Sequence, residues 1–141
     1  MSSAQNMPYP VENIPDSAQL FRRLTPDIHY KSNVRRIEPA AFMLRRDKKG
    51  IPLEIGLSAD WDQYSTAEKS AYDRNTGKKY YVAGLYAQGP RDHGLDVVHS
   101  PSRKNQAHSE IRGDSLTISK ESNLKMAAIL VELSISRVTS I

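Results

Sequence analysis

From Ile51 to Ser58 the chain alternates Ile51, Leu53, Ile55 and Leu57 with Pro52, Glu54, Gly56 and Ser58, a period of two that an extended backbone turns into one apolar face. The spacing predicts a strand, entered at Pro52, whose missing amide suits an edge or a first position. Asp47-Lys48-Lys49-Gly50 before it has turn chemistry, and Ala41 to Arg45 reads as the other arm of a hairpin. Residues 79–88 are the richest in β-formers and read as a central strand with two coverable faces. Residues 95–99 return as its partner across the turn Gly89 to Gly94, and residues 20–25 make a further strand stopped by Pro26.

Two segments carry helical signals. Ser65 to Arg74 has a Ser65 cap with Glu68 three residues on and a stop at Asn75-Thr76-Gly77. Lys120 to Ser134 satisfies both helical and strand spacing, and its length, the Ser119 cap and the run Leu-Lys-Met-Ala-Ala favour helix. One stripe holds Leu124, Ala127, Ala128, Val131, Ile135 and Val138, with Met126, Ile129 and Leu133 opposite. A helix apolar on two sides needs two covers, which makes a homo-oligomer or a larger complex one expectation. The fold class expected is α+β: one domain with an antiparallel sheet, a short central helix and a C-terminal helix.

A chain of 141 residues fits one core, expected over residues 18–141. Residues 1–17, with Pro8, Pro10 and Pro15 and few large apolar groups, are expected to form a flexible arm, docking being the alternative. With no cysteine, disulfides and thiolate chemistry are excluded, so stability rests on packing. The first residues lack a basic region followed by an apolar one, and no apolar run has the length of a membrane span, so a cytoplasmic protein with no membrane partner is expected.

The net charge of +4 is unevenly placed: residues 20–50 hold nine Lys and Arg against three acids. Arg22, Arg23, Arg35, Arg36, Arg45 and Arg46 form three Arg-Arg pairs there, with Arg103 and Lys104 further on, and forked guanidinium groups suit phosphate and carboxylate. This ranks first a binding module for an anionic partner, nucleic acid included, as the expected function. Trp61 and the tyrosines at 64, 72, 80, 81 and 86 between the basic regions are candidate stacking platforms, and equally ordinary packing.

The densest packet of chemistry is residues 101–113. As a strand it aligns His108, Glu110 and Arg112; as a helix ending at Gly113 it groups Asn105, His108 and Arg112. His108 is then a candidate proton carrier, Arg112 an anion clamp and Glu110 the carboxylate between them, the catalytic set of a small enzyme acting on a nucleotide or phosphate ester. ADP-ribosyl transfer has a compatible order of parts: an early-strand arginine or histidine, a mid-chain serine or tyrosine and a later glutamate embrace nicotinamide dinucleotide. Arg22 or Arg23, Ser58 and Glu110 occur in that order.

His99, His108 and Glu110 are conceivable metal ligands with a poor spacing signal, and no metal is expected. The His-x-Glu of zinc deaminases is present without its cysteines, and the phosphate-binding, dinucleotide-binding, hydrolase-elbow and zinc-protease motifs are missing. His29 beside Tyr30, and Arg91-Asp92-His93, are minor polar clusters.

Overall fold

The structure, a computed structural model, describes residues 8–135. Its centre is a five-stranded sheet built from β1 (Gln19–Leu24), β4 (Gly56–Trp61), β5 (Tyr81–Tyr86), β6 (Asp96–His99) and β7 (His108–Arg112). The spatial order is β5-β1-β4-β7-β6, with every neighbouring pair antiparallel. A separate two-stranded ribbon joins β2 (Tyr30–Lys31) to β3 (Arg36–Ile37). Among the described residues four α-helices complete the fold: α1 (Ala67–Ser70), α2 (Gln88–Asp92), α3 (Asp114–Thr117) and α4 (Lys120–Leu133). The α+β class, the antiparallel sheet and the C-terminal helix are as expected, and no described helix is long and apolar enough to cross a membrane.

Strand alternation sorts the sheet into two faces. One carries Leu20, Leu24, Leu57, Ala59, Trp61, Ala83, Leu85, Val97 and Ile111 into the main core, against Phe42, Leu116 and the α4 residues Met126, Ala127 and Leu130. The other carries Phe21 and Val82, which pack with Ala67 and Ala71 of the α1 segment in a small second core. Thr66, one residue after the expected Ser65, caps α1 through its hydroxyl.

Several predicted elements change character. Residues 41–45 are not a strand: Pro39–Phe42 forms a 3-10 turn, which buries Ala41 and Phe42, and an extended link follows. The Asp47 turn forms, its Oδ1 accepting from Lys49 N and Ile51 N, and the expected hairpin survives as one bridge, Arg46 to Pro52, with Asp47 N donating to Ile51 O and Leu53 N to Arg45 O; the alternating stretch is no strand before Gly56. Ile51, Leu53 and Ile55 remain 56–64% exposed, because no element covers that side and lateral pairing with β7 begins only at Gly56. The turn predicted at 89–94 is the helix α2, and β6 pairs with β7 rather than with β5. The reason is topological: β5, expected to be central, and β6 lie at opposite edges of the sheet, so a tight hairpin cannot join them.

The stripe of α4 is also rotated from the expected one. Asn123, Met126, Ala127 and Leu130 face inward, while Leu124 is 48% exposed and Ala128 is exposed. Met126 and Leu133, assigned to an outer face, pack against the core; Val138 lies outside the described residues. A polar residue sets this register. The Asn123 side chain is fully buried, its Oδ1 accepting from Leu44 N at 2.9 Å and its Nδ2 donating to Phe42 O at 3.2 Å. The amide therefore supplies, in the core, the hydrogen bonds that a sheet neighbour would have given the 42–44 link.

In the N-terminal stretch read as an arm, Glu12 N donates to His99 Nδ1 at 3.0 Å and Ile14 is only 4% exposed. Tyr64 donates to the Glu12 carboxylate, a bond that raises the Tyr64 pKa above the usual phenol value, with burial and the Glu12 charge adding to the effect. Arg91 ties the same stretch down through Asp16 and also donates to Val97 O.

Asn123→Ala leaves a buried amide N–H and a carbonyl of the 42–44 link without partners, and is expected to cost about 2–3 kcal/mol in urea denaturation with the m-value unchanged.

Candidate functional site on the open half of the sheet

The C-terminal part of the 101–113 packet is the strand β7, entered from a loop of turns, so His108, Glu110 and Arg112 project from the same side while Ser109 and Ile111 face the core. The register sets them opposite Asp60, Ser58 and Gly56 of β4 respectively. Two rows of polar residues thus lie side by side. α1 covers the β1–β5 half of this face through Phe21 and Val82, whereas Ser58 on the β4–β7 half is exposed.

His108 is held in one orientation. Its Nδ1 lies 2.8 Å from Ser100 O, and a carbonyl only accepts, so Nδ1 carries the proton. In the neutral ring Nε2 is then the acceptor, and it faces Ser58 Oγ at 3.3 Å. Glu110 accepts at Oε1 from Arg112 Nε at 2.8 Å, and Oε2 makes no hydrogen bond among the described residues. The Arg112 stem crosses β4 at Gly56, where an added Cβ would stand 2.8 Å from Arg112 Cγ and 2.9 Å from Ile111 O. Glycine is what lets the guanidinium fold back toward Glu110.

Asp60 closes the far end. Its Oδ1 accepts from Asn105 Nδ2 at 2.9 Å and its Oδ2 from Ser70 Oγ at 2.7 Å, which fastens the loop before β7 and the end of α1 to the C-terminal end of β4. Ser58 and Asp60 continue the alternation that begins at Ile51, but the predicted strand stopped at Ser58, so Asp60 was missed. Asn105 appeared only in the helical reading of the packet, and nothing local distinguishes Ser70 or Ser100.

Arg22 joins the site from the core side. β1 pairs with β4 only at Leu20–Trp61 and Phe21–Asp60, while it pairs with β5 along its whole length. Into the parting reaches the Arg22 guanidinium, its Nε donating to Ala41 O at 2.5 Å and its Nη1 to Ser58 O at 2.7 Å. Burial lowers its pKa to about 10, partly opposed by Glu54, so it remains a cation at neutral pH. The Arg22 charge in turn depresses His29, whose pKa is lowered first by burial and then by that charge; His29 Nδ1 accepts from Thr25 N at 3.0 Å. Burial alone would push the Glu54 carboxyl up, but the backbone and side-chain hydrogen bonds of Arg45 and the charges of Arg45 and Arg22 bring it below its usual value. The same Glu54 bonds raise Arg45.

The other expected anion binders separate into two groups. Arg23 donates to the carbonyls of Ser70 and Tyr72, and Arg46 to those of Gly50, Leu116 and Ser119. Arg36 and Arg45 pair with Glu38 and Glu54. Arg35, Arg103 and Lys104 are exposed and make no ion pair among the described residues. Of the candidate stacking rings, Trp61 is buried at 5% exposure against Tyr64 and His99, Tyr81 packs on Tyr30, and Tyr80 lies under Arg23 and Lys78; Tyr72 and Tyr86 stay exposed.

The conceivable metal set does not assemble. His99 is on the core face, its Nδ1 taken by Glu12 N and its Nε2 by Gln106 O at 2.7 Å, while His108 and Glu110 are on the opposite face. No group of three or more potential ligands occurs among the described residues. His93 caps its own short helix at Gly89 O. No family model, curated protein or solved structure matches the chain.

Because the native state resists protonating His29, the unfolded chain takes up that proton first as the pH falls below 6.5, the ordinary value. Stability is therefore expected to be greatest above 6.5 and to decline as the pH drops through the lowered native value; His29→Gln should flatten this limb in denaturation series from pH 7.5 to 5.

Proposed function

We propose that the chain is an enzyme of ADP-ribosyl transfer, cleaving the bond between nicotinamide and ribose in nicotinamide dinucleotide at the face formed by Ser58, His108, Glu110 and Arg112. One observation carries the reading. Arg22, Ser58 and Glu110, separated by tens of residues in sequence, stand on the three laterally adjacent strands β1, β4 and β7, with Arg22 bonded to the Ser58 carbonyl and Ser58 directly opposite Glu110. Of the two arginines that fit the order of parts, Arg22 is the one in contact with β4; Arg23 turns away to Ser70 and Tyr72.

The chemistry asks for these groups. As the glycosidic bond breaks, its electron pair neutralises the pyridinium ring and positive charge gathers on the ribose C1′ and ring oxygen, as in other glycosyl transfers. A carboxylate held in place beside that charge stabilises it without having to reorganise. Glu110 meets the requirement, since Arg112 fixes Oε1 and leaves Oε2 for a ribose hydroxyl. Arg22 acts as a positioning residue: it holds β4 at Ser58 while β1 diverges. Arg112 contributes a further cation for the dinucleotide phosphates.

A second reading, a binding module for a polyanion such as RNA, is favoured by the exposure of Arg35, Arg103 and Lys104. Among the described residues, only these three of the eight expected cations are free of internal partners, so the enzymatic reading takes precedence.

Incubation with the oxidised dinucleotide, followed by chromatography of nicotinamide, is expected to show release that Glu110→Gln lowers by about 100-fold and Ser58→Ala by roughly tenfold, with far-UV spectra unchanged. No release by the wild-type protein, with or without an added nucleophile, rejects the reading. Under the second reading, RNA binding would fall steeply with salt, with a slope that shrinks by about one for each of Arg35→Glu and Arg103→Glu.

A further inference from the structure

We propose that His108 is the base that deprotonates the acceptor, and that the acceptor is water, so that the reaction is hydrolysis of the dinucleotide to nicotinamide and ADP-ribose. This rests on the reading above and adds to it the identity of the nucleophile. Strand alternation puts the imidazole next to Glu110 on the same face, so a group attacking the ribose carbon beside Glu110 comes within its reach. The ring is already oriented as a base must be, since Ser100 O holds the proton on Nδ1 and the Nε2 lone pair points at a hydroxyl, that of Ser58, at 3.3 Å.

The surroundings favour a small neutral acceptor. The charged groups about the ring are Asp60 from β4, and Glu110 and Arg112 from its own strand; Ser100 and Asn105 of the preceding loop are uncharged. Asp60 is already engaged at both oxygens and Glu110 Oε2 is assigned to the ribose, which leaves His108 for the acceptor. A guanidinium or ammonium acceptor would bring a positive charge against an imidazole that must itself become positive, whereas a hydroxyl acceptor does not. Water also needs no docking surface, and Ser58 lies in the open.

The step balances without a further reactant. The C1′–N bond to nicotinamide breaks and its electron pair stays on the ring nitrogen; the water oxygen bonds to C1′; the water proton passes to His108 Nε2. Nicotinamide, ADP-ribose and one proton, later lost from the imidazolium to solvent, are the products. General-base assistance of this kind is worth about 10²-fold or more.

The test compares the wild-type protein with His108→Ala, His108→Gln and Glu110→Gln, using the oxidised dinucleotide with and without sodium azide, an anion that attacks without losing a proton. The expected result is a drop of about 10²-fold in hydrolysis for both His108 variants, loss of the wild type's rise in kcat/KM with pH, and recovery of nicotinamide release by azide with formation of ADP-ribosyl azide. Glu110→Gln should show no recovery. If His108→Ala keeps the wild-type rate and pH profile while Glu110→Gln is inactive, the role of His108 is overturned and the ADP-ribosyl reading stands. A His108→Ala protein that is slow and gains nothing from azide overturns it as well, since its loss is then not that of a base. If the wild type releases no nicotinamide under either condition, both proposals fall.

Discussion

The guanidinium of Arg22 occupies the place where β1 and β4 part, and the arrangement of the sheet depends on it. Two strands that pair for two residues and then separate leave carbonyls facing inward with no ladder partner. Arg22 answers two of them, Ala41 O from the 3-10 turn and Ser58 O from β4. Arg22 is half-buried, and drawing a cation even partly out of water costs free energy unless hydrogen bonds replace the lost hydration. The depressed Arg22 pKa reflects that cost, and the nearby Glu54 offsets part of it. Through this one side chain the core layer and the candidate site share a fixed spacing.

The same device recurs across the basic block. Arg23 and Arg46 turn their donors to main-chain carbonyls, and Arg45 locks to Glu54 across the Asp47 turn. A chain without disulfides and with several short, irregular links has many carbonyls that no sheet or helix serves. Planar five-donor groups serve them well, so much of what reads as a patch for a polyanion is internal scaffolding. The exposed ion pairs contribute little to stability by themselves, but they hold loops beside the sheet.

The candidate site exists because one face of the sheet is only half covered. A one-turn helix with its flanking loops roofs β1 and β5, and Ser70 at its end reaches Asp60 in the adjoining strand. β4 and β7 are left with a polar face, whose side chains are ordered by each other and by the Ser100 carbonyl rather than by burial. Such a surface combines preorganised polar groups with direct access for a ligand.

Much of this was legible in residue order. The β-rich run at 79–88, the capped segment ending near Leu133 and the alternation of His108, Glu110 and Arg112 follow from local periodicity, which the backbone obeys wherever a partner exists. Ile51 to Ile55 has the clearest alternation in the chain and is not a strand: it pairs with Arg45–Asp47 through a single bridge, and its apolar side chains stay exposed. The inward face of α4 was misassigned because a buried asparagine, and not a fourth leucine, decides which way it turns. By itself the sequence determined which residues share one side of each regular element, and it excluded thiol and disulfide chemistry. Only tertiary structure decided which sides meet, that β6 returns beside β7, that Arg22 and not Arg23 reaches β4, and that Ser58 pairs opposite Glu110 with its hydroxyl facing His108. Those outcomes depend on lateral pairing and on carbonyls left unserved between distant segments, and neither quantity is written in any short window of the chain.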